Sequence, residues 1–132
     1  MTLVAADSVS LALDGEPVLG IAEHRLTLTR GLSDRSHADG LGWAEMSALD
    51  RPVSLECDVR GTFVSGTAMQ RVRNAFLAGS AVLAELGLPG EGAWSGAFLI
   101  GTLQLAARGG DELGVRLRLS STGPVVFMPE QG

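Results

Sequence analysis

The sequence predicts a mainly β domain: an antiparallel β-sandwich or open barrel, with one flanking α-helix over about residues 66–79 and a long loop over about 31–46. Three observations predict it. Apolar and polar residues alternate at period two in several separate runs, the pattern of half-buried strands. Only one run carries apolar residues at helical spacing. Turn-forming Gly, Asp and Pro stand between the runs.

The first strand sets Val9, Leu11 and Leu13 against Ser8, Ser10 and Ala12, and Asp14-Gly15 then signals a type I′ hairpin turn. Its return runs through Val18, Leu19 and Ile21. In the next strand His24, Leu26 and Leu28 share one face and Arg25, Thr27 and Thr29 the other. Residues 31–46 lose all period and are rich in Gly, Ser and Asp. Structureless loops of that length are unusual in compact domains and are commonly functional or ordered by a partner. After Pro52 the alternation resumes, with Val53, Leu55, Cys57 and Val59 facing one way and Ser54, Glu56, Asp58 and Arg60 the other.

The helix follows. Ser65 or Thr67 is placed to cap it, and Met69, Val72 and Phe76 form a narrow apolar stripe. Gln70, Arg71, Arg73 and Asn74 occupy its polar side, and Gly79 ends it. A short strand, "SAVLAEL", stops at "GLPGEG". The last third is a hairpin. Its first strand is apolar on both faces around Phe98, Leu99 and Ile100; "GGDELG" turns it; the return sets Leu113, Val115, Leu117 and Leu119 against Arg116 and Arg118. A strand apolar on both faces is central in a sandwich or covered by a neighbouring subunit.

The 132 residues fit one domain, 1–132, and 45% apolar content is enough for a core and too much for a disordered chain. The lone Cys57 excludes an internal disulfide. The N-terminus lacks the basic flank and apolar run of a signal peptide. No apolar run reaches the roughly 20 residues of a membrane helix, so no membrane partner is expected. The net charge is −5 and every basic residue is Arg, a balance that disfavours tight binding to phosphate backbones.

No constellation for chemistry stands out. Ser36, His37 and Asp39 are near neighbours in one loop and cannot hold nucleophile, base and orienter in a rigid geometry. His24, His37 and Cys57 lack metal-ligand spacing. Glu56 and Asp58 share a strand face and read as a solvated sheet surface rather than an acid/base pair. The glycine-rich stretches match neither a phosphate loop nor a dinucleotide fingerprint. No catalytic, metal or cofactor-binding residue is therefore expected, and the chain is not read as an enzyme.

The order of elements carries more than any single residue. A loop ending in "GLGWAEM" is followed by the strand "VSLECDVRGTF", the helix "AMQRVRNAFLAG", a short strand, the hairpin "WSGAFLIGTLQLAARGGDEL" and the terminal "GVRLRLSSTGPVVF". This resembles the siphophage major tail tube protein family, including its prophage and gene transfer agent versions, over roughly residues 8–127. The most specific pieces are the strand-helix-"F-x-A-G" unit and Gly96, Phe98, Ile100 and Leu103 at the start of the last hairpin.

The resemblance implies a structural virion protein whose fold is shared with type VI secretion tube proteins. Six copies would form a ring whose inner strands join into one β-barrel, and rings would stack into a hollow tail through which DNA passes without specific binding. Its partners would be copies of itself and other tail proteins. Its place would be the tail of a virion or gene transfer agent particle, made in the bacterial cytoplasm. By the same likeness the loop would contact the adjacent ring through Ser33, Asp34, Arg35, Ser36, His37, Asp39 and Trp43. Phe98, Ile100, Arg116 and Arg118 are expected at the subunit interface, with the two arginines there or paired with acids. Glu56, Asp58, Asp111 and Glu112 are expected as lumen carboxylates, an acidic lining that lets DNA slide. Two alternatives remain: a monomeric β-barrel binding a small apolar ligand, and a related tail component such as a tail terminator, which forms one ring and never a filament.

Overall fold

The computed structural model describes residues 9–34, 43–44, 46–48 and 52–130. Its centre is a ladder between two strands, β8 (Gly92–Ala106) and β9 (Gly114–Pro129). At about 3.3 Å per residue, a strand of 15 residues spans roughly 50 Å, longer than a domain of this size is wide. The ladder accommodates this by shifting register twice, between Gly96 and Phe98 and between Ile100 and Thr102. At these irregularities β8 exchanges one set of neighbours for another.

The N-terminal half of β8 pairs with β7 (Val82–Leu88), which pairs with β1 (Ser10–Leu13), which pairs with the two-residue β2 (Glu16–Pro17). The first half of β9 pairs on its other side with β6 (Val53–Thr62), and β6 pairs with β3 (Ile21–Arg30). All these pairings are antiparallel, in the order β2-β1-β7-β8-β9-β6-β3. The sheet therefore works as two half-sheets sharing the β8–β9 ladder. It does not close, since β2 and β3 stand at opposite ends. That rules out the closed ligand-binding barrel held as an alternative.

One cluster of apolar side chains fills the interior. Leu11, Leu13, Val82, Ala84 and Leu86 come from one half-sheet, and Leu55, Cys57, Val59, Val115, Leu117 and Leu119 from the other. The helix α1 (Thr67–Ala78) lies mainly against β8 and buries Met69, Val72 and Ala75. Cross-strand Trp94 and Phe127 pack with ring centroids 4.7 Å apart. The Asp14-Gly15 turn has φ of 51° and 82°, as a type I′ turn requires. Asp14 Oδ1 also accepts from Leu83 N at 2.9 Å, and its carboxylate lies 3.7 Å from Arg71, tying turn, strand and helix together. Gly61 is fixed by a close approach: a Cβ there would collide with the backbone oxygen of Gly20.

Several local expectations change. The helix starts at Gly66 with no side-chain cap from Ser65 or Thr67; Gly66 is in extended backbone, and the cap is left to backbone groups. The buried stripe runs through Ala75, while Phe76 is 38% exposed, because the helix turns its small residue to the sheet. Gly79 does end the helix in the left-handed conformation (φ 67°), with Ser80 N donating to Ala75 O at 3.1 Å. The long loop is partly structured. Its ends pair as β4 (Ser33–Asp34) and β5 (Met46–Ser47), a two-stranded ribbon apart from the main sheet. The strand at Phe98 is apolar on both sides in composition but not in burial: Phe98 is fully buried and Leu99 is 42% exposed.

Phe98→Ala is expected to cost about 3–5 kcal/mol of unfolding free energy through the cavity it leaves. Leu83→Thr, on the exposed side of a neighbouring strand, is expected to stay within about 0.5 kcal/mol. Urea titrations of both variants check the contrast.

Candidate functional site

The half-sheet formed by β3, β6, the first half of β9 and the second half of β8 has one apolar face and one charged face. Period-two alternation puts Leu55, Cys57 and Val59 into the core, so Glu56, Asp58 and Arg60 must point the other way. Register then aligns their neighbours across the sheet. One row runs Arg25, Asp58, Arg118, Thr102; the next runs Glu23, Arg60, Arg116, Gln104; a third joins Thr27, Glu56 and Ser120. A depression of about 420 Å³ lies over Arg25, Glu56, Asp58, Thr102 and Arg118.

Asp58 organises this face. Arg116 donates to it in a fork, Nε to Oδ1 at 3.2 Å and Nη2 to Oδ2 at 2.9 Å. Arg118 Nε lies 3.6 Å from the same Oδ2. The hydrogen bond from Arg116 holds the Asp58 carboxyl below its usual range, reinforced by the positive charges of Arg116, Arg118 and Arg60 and opposed by partial burial. On the other side of the same strand, burial pushes the Cys57 thiol up to about 12, with Asp58 adding to the shift, so it remains a protonated core residue. His24 sits half-buried on the core side of β3 with its pKa lowered by that burial.

The expected site residues separate accordingly. Glu56, Asp58, Arg116 and Arg118 come together on the charged face, and both arginines are paired with Asp58. Phe98 and Ile100 are not on an outward surface: they are 0% and 8% exposed, packed in the subunit's own core under α1. Asp111 and Glu112 lie in the β8–β9 turn, where Thr62 Oγ1 donates to Glu112 Oε2 at 3.2 Å, and so stand at the end of the face rather than on it. Ser33 and Asp34 form β4, and Trp43 is 81% exposed. Arg35, Ser36, His37 and Asp39 lie outside the described residues. Among the described residues no three His, Cys, Asp or Glu side chains gather as a metal site, and no helix is long and apolar enough to cross a membrane.

Arg25, Arg60 and Glu23 complete the face; alternation along β6 already set Arg60 beside Glu56 and Asp58, while Arg25 and Glu23 were not anticipated there. The alternation of β3 and β6 held the signal, but the sheet order that brings those strands beside β9 did not show in the sequence. With them the face carries four arginines against three carboxylates, a net of +1 in a chain of −5. The face is thus an interleaved one rather than purely acidic. The outward face of the other half-sheet carries apolar side chains instead, with Leu83, Val126 and Met128 more than half exposed beside the exposed Glu85.

The charged face is flanked by strand edges with nothing to pair with among the described residues. β3 has no partner beyond β6, and β7 pairs with β8 only through Phe98, leaving Leu99–Ala106 open on that side. A sheet open at both ends of one polar face defines a building block for assembly. The chain belongs to the phage tail tube protein family, whose model matches residues 6–127. Members of that family are structural components of tails, not enzymes. Solved structures agree on the fold. A chain of the virion of a native gene transfer agent particle aligns at a TM-score of 0.90 and 21% identity over 96% of this chain and 99% of that one. The tail of an empty gene transfer agent particle, computed with C6 symmetry, aligns at 0.83 and 22% over 91% and 93%. The SPP1 tail tube aligns at 0.67 and 13% over 97% and 80%. No curated protein sequence matches the chain.

The Asp58 carboxyl titrates below its unfolded value, so the folded chain binds fewer protons there. Stability from the Asp58–Arg116 pair is complete above the unfolded pKa of about 3.9 and fades as pH falls through the folded one. Asp58→Asn is expected to be less stable than wild type at pH 7, with the gap narrowing below about pH 4. Urea midpoints at both pH values check this; a constant gap contradicts the pairing.

Proposed function

We propose that this chain is the major tail tube subunit of a phage or gene transfer agent tail, that six copies form a ring through their open strand edges, and that the charged face lines the lumen. One observation carries the reading: the open edges have compatible polarity. In the four-strand half-sheet each strand runs opposite to the next, so β3 and β8 at its two ends run in opposite directions. A copy rotated about an axis roughly along the strands brings its β3 beside β8 of the first in antiparallel pairing. An even strand count lets this repeat around the ring without a parallel seam, and closure satisfies backbone groups that an isolated subunit leaves to water.

The orientation follows from packing. The apolar face of the half-sheet is occupied by α1 and the other half-sheet, so only the charged face is free to turn toward the axis. The C6 symmetry of the gene transfer agent tail supports six as the ring number. The ribbon of β4 and β5 forms a sheet apart from the main one, and Trp43 and Met46 are exposed to solvent, which suits contact with the next ring. The apolar side chains of the outer face, Leu83, Val126 and Met128, suit contact with further copies or other tail proteins. Growth by stacking distinguishes a tube subunit from a terminator.

Electron microscopy of concentrated protein is expected to show hollow tubes with six-fold symmetry. A strict monomer at high concentration, with tail initiation factors present, contradicts the reading. Trp43→Ser is expected to leave thermal stability unchanged and ring formation intact while stopping growth into tubes; normal tube length in that variant removes the loop from the ring-to-ring contact.

A further inference from the structure

A lumen lined with arginine poses a problem for a conduit. A guanidinium presents a planar fork that matches a phosphate oxygen pair, and each such contact adds to the salt-dependent affinity for a nucleic acid backbone. The charged face carries Arg25, Arg60, Arg116 and Arg118. Left free, four forks per copy repeated around a ring would hold DNA rather than pass it.

The geometry shows how the strongest of these is silenced. Arg116 turns Nε and Nη2, the two donors of its fork, onto the two oxygens of Asp58. Arg118 Nε is held beside the same carboxylate, and Arg25 stands opposite it across the β3–β6 pair. Asp58 thus engages two of the four arginines, Arg116 through hydrogen bonds and Arg118 through a longer ion pair. Glu56, two residues away on the same face, is exposed and makes no ion pair among the described residues. The two acids add equal charge to the surface but differ in what they occupy.

We propose that Asp58 is a masking residue: it occupies the arginine donors that would otherwise bind the phosphate backbone of duplex DNA, and so sets how freely DNA passes over this face. The inference rests on the reading of the charged face as a lumen. Its mechanism, competition between one carboxylate and phosphate for the same donors, acts in a free subunit as well as in a tube.

The test compares wild type, Asp58→Asn, Asp58→Ser and Glu56→Gln. Binding of a short fluorescent DNA duplex to free subunits is followed by anisotropy over a salt series, and retention of the same duplex by sedimented tubes is measured in parallel. The expected result is binding at about 50 mM salt at least about tenfold tighter for both Asp58 variants than for wild type, with a log–log salt slope steeper by roughly two. Glu56→Gln, which changes the charge equally, is expected to gain less than about threefold under the same conditions. Folded Asp58 variants that bind DNA no better than wild type overturn the proposal. So does an equal gain in Glu56→Gln, which would make net charge sufficient. Failure of both Asp58 variants to fold also overturns it, by making Asp58 a folding determinant. If subunits show the gain but wild type never forms tubes, the masking stands and the lumen reading fails.

Discussion

Each half of this molecule depends on the β8–β9 ladder. It joins two half-sheets that share no other strand and supplies core residues to both. Because β7 covers only the first half of β8 and β6 only the first half of β9, the ladder leaves Leu99–Ala106 and residues 122–129 each open along one side. The openness is a consequence of strand length: two strands longer than any partner cannot be fully paired within one chain. A soluble monomer would normally blunt such edges. Here the edge at β8 matches, in direction, the edge at β3, and the surface between them is the charged face.

That geometry separates two jobs on one sheet. Alternation along β6 and β9 sends Leu, Val and Cys to a dry interior and carboxylates and arginines to the opposite side. Stability therefore lives in Phe98, Leu117 and their neighbours, while the character of the charged face lives in Asp58 and the arginines around it. Substitutions on the charged side can retune its electrostatics with little effect on packing, apart from the Asp58–Arg116 pair, which belongs to both.

Much of this was legible in the sequence where physics is local. Period-two runs located the strands, the Asp14-Gly15 pair located its turn, and Gly79 located the helix end, because each depends on a few adjacent residues. What escaped depends on distant pairing. Phe98 and Ile100 looked like interface residues because apolar neighbours flank them, but the helix and the distant strands of the core pack over their side of β8 and leave only Leu99 outside. Arg25 joined the site only through the order β3-β6-β9, which no single stretch encodes. The helix cap was misplaced because Gly66, in extended backbone, leaves neither hydroxyl of Ser65 and Thr67 as the cap.

The central claim is that β3 of one copy completes the sheet beside β8 of the next. Hydrogen exchange of free subunits against assembled tubes tests it most directly. In the free subunit, outward amides of Ile21–Arg30 and Leu99–Ala106 exchange fast, because no strand covers them. The account predicts that assembly protects alternate amides in both segments together. Tubes in which these two segments exchange as fast as in the free subunit, with new protection confined to residues 122–129 or the β4–β5 ribbon, would contradict it.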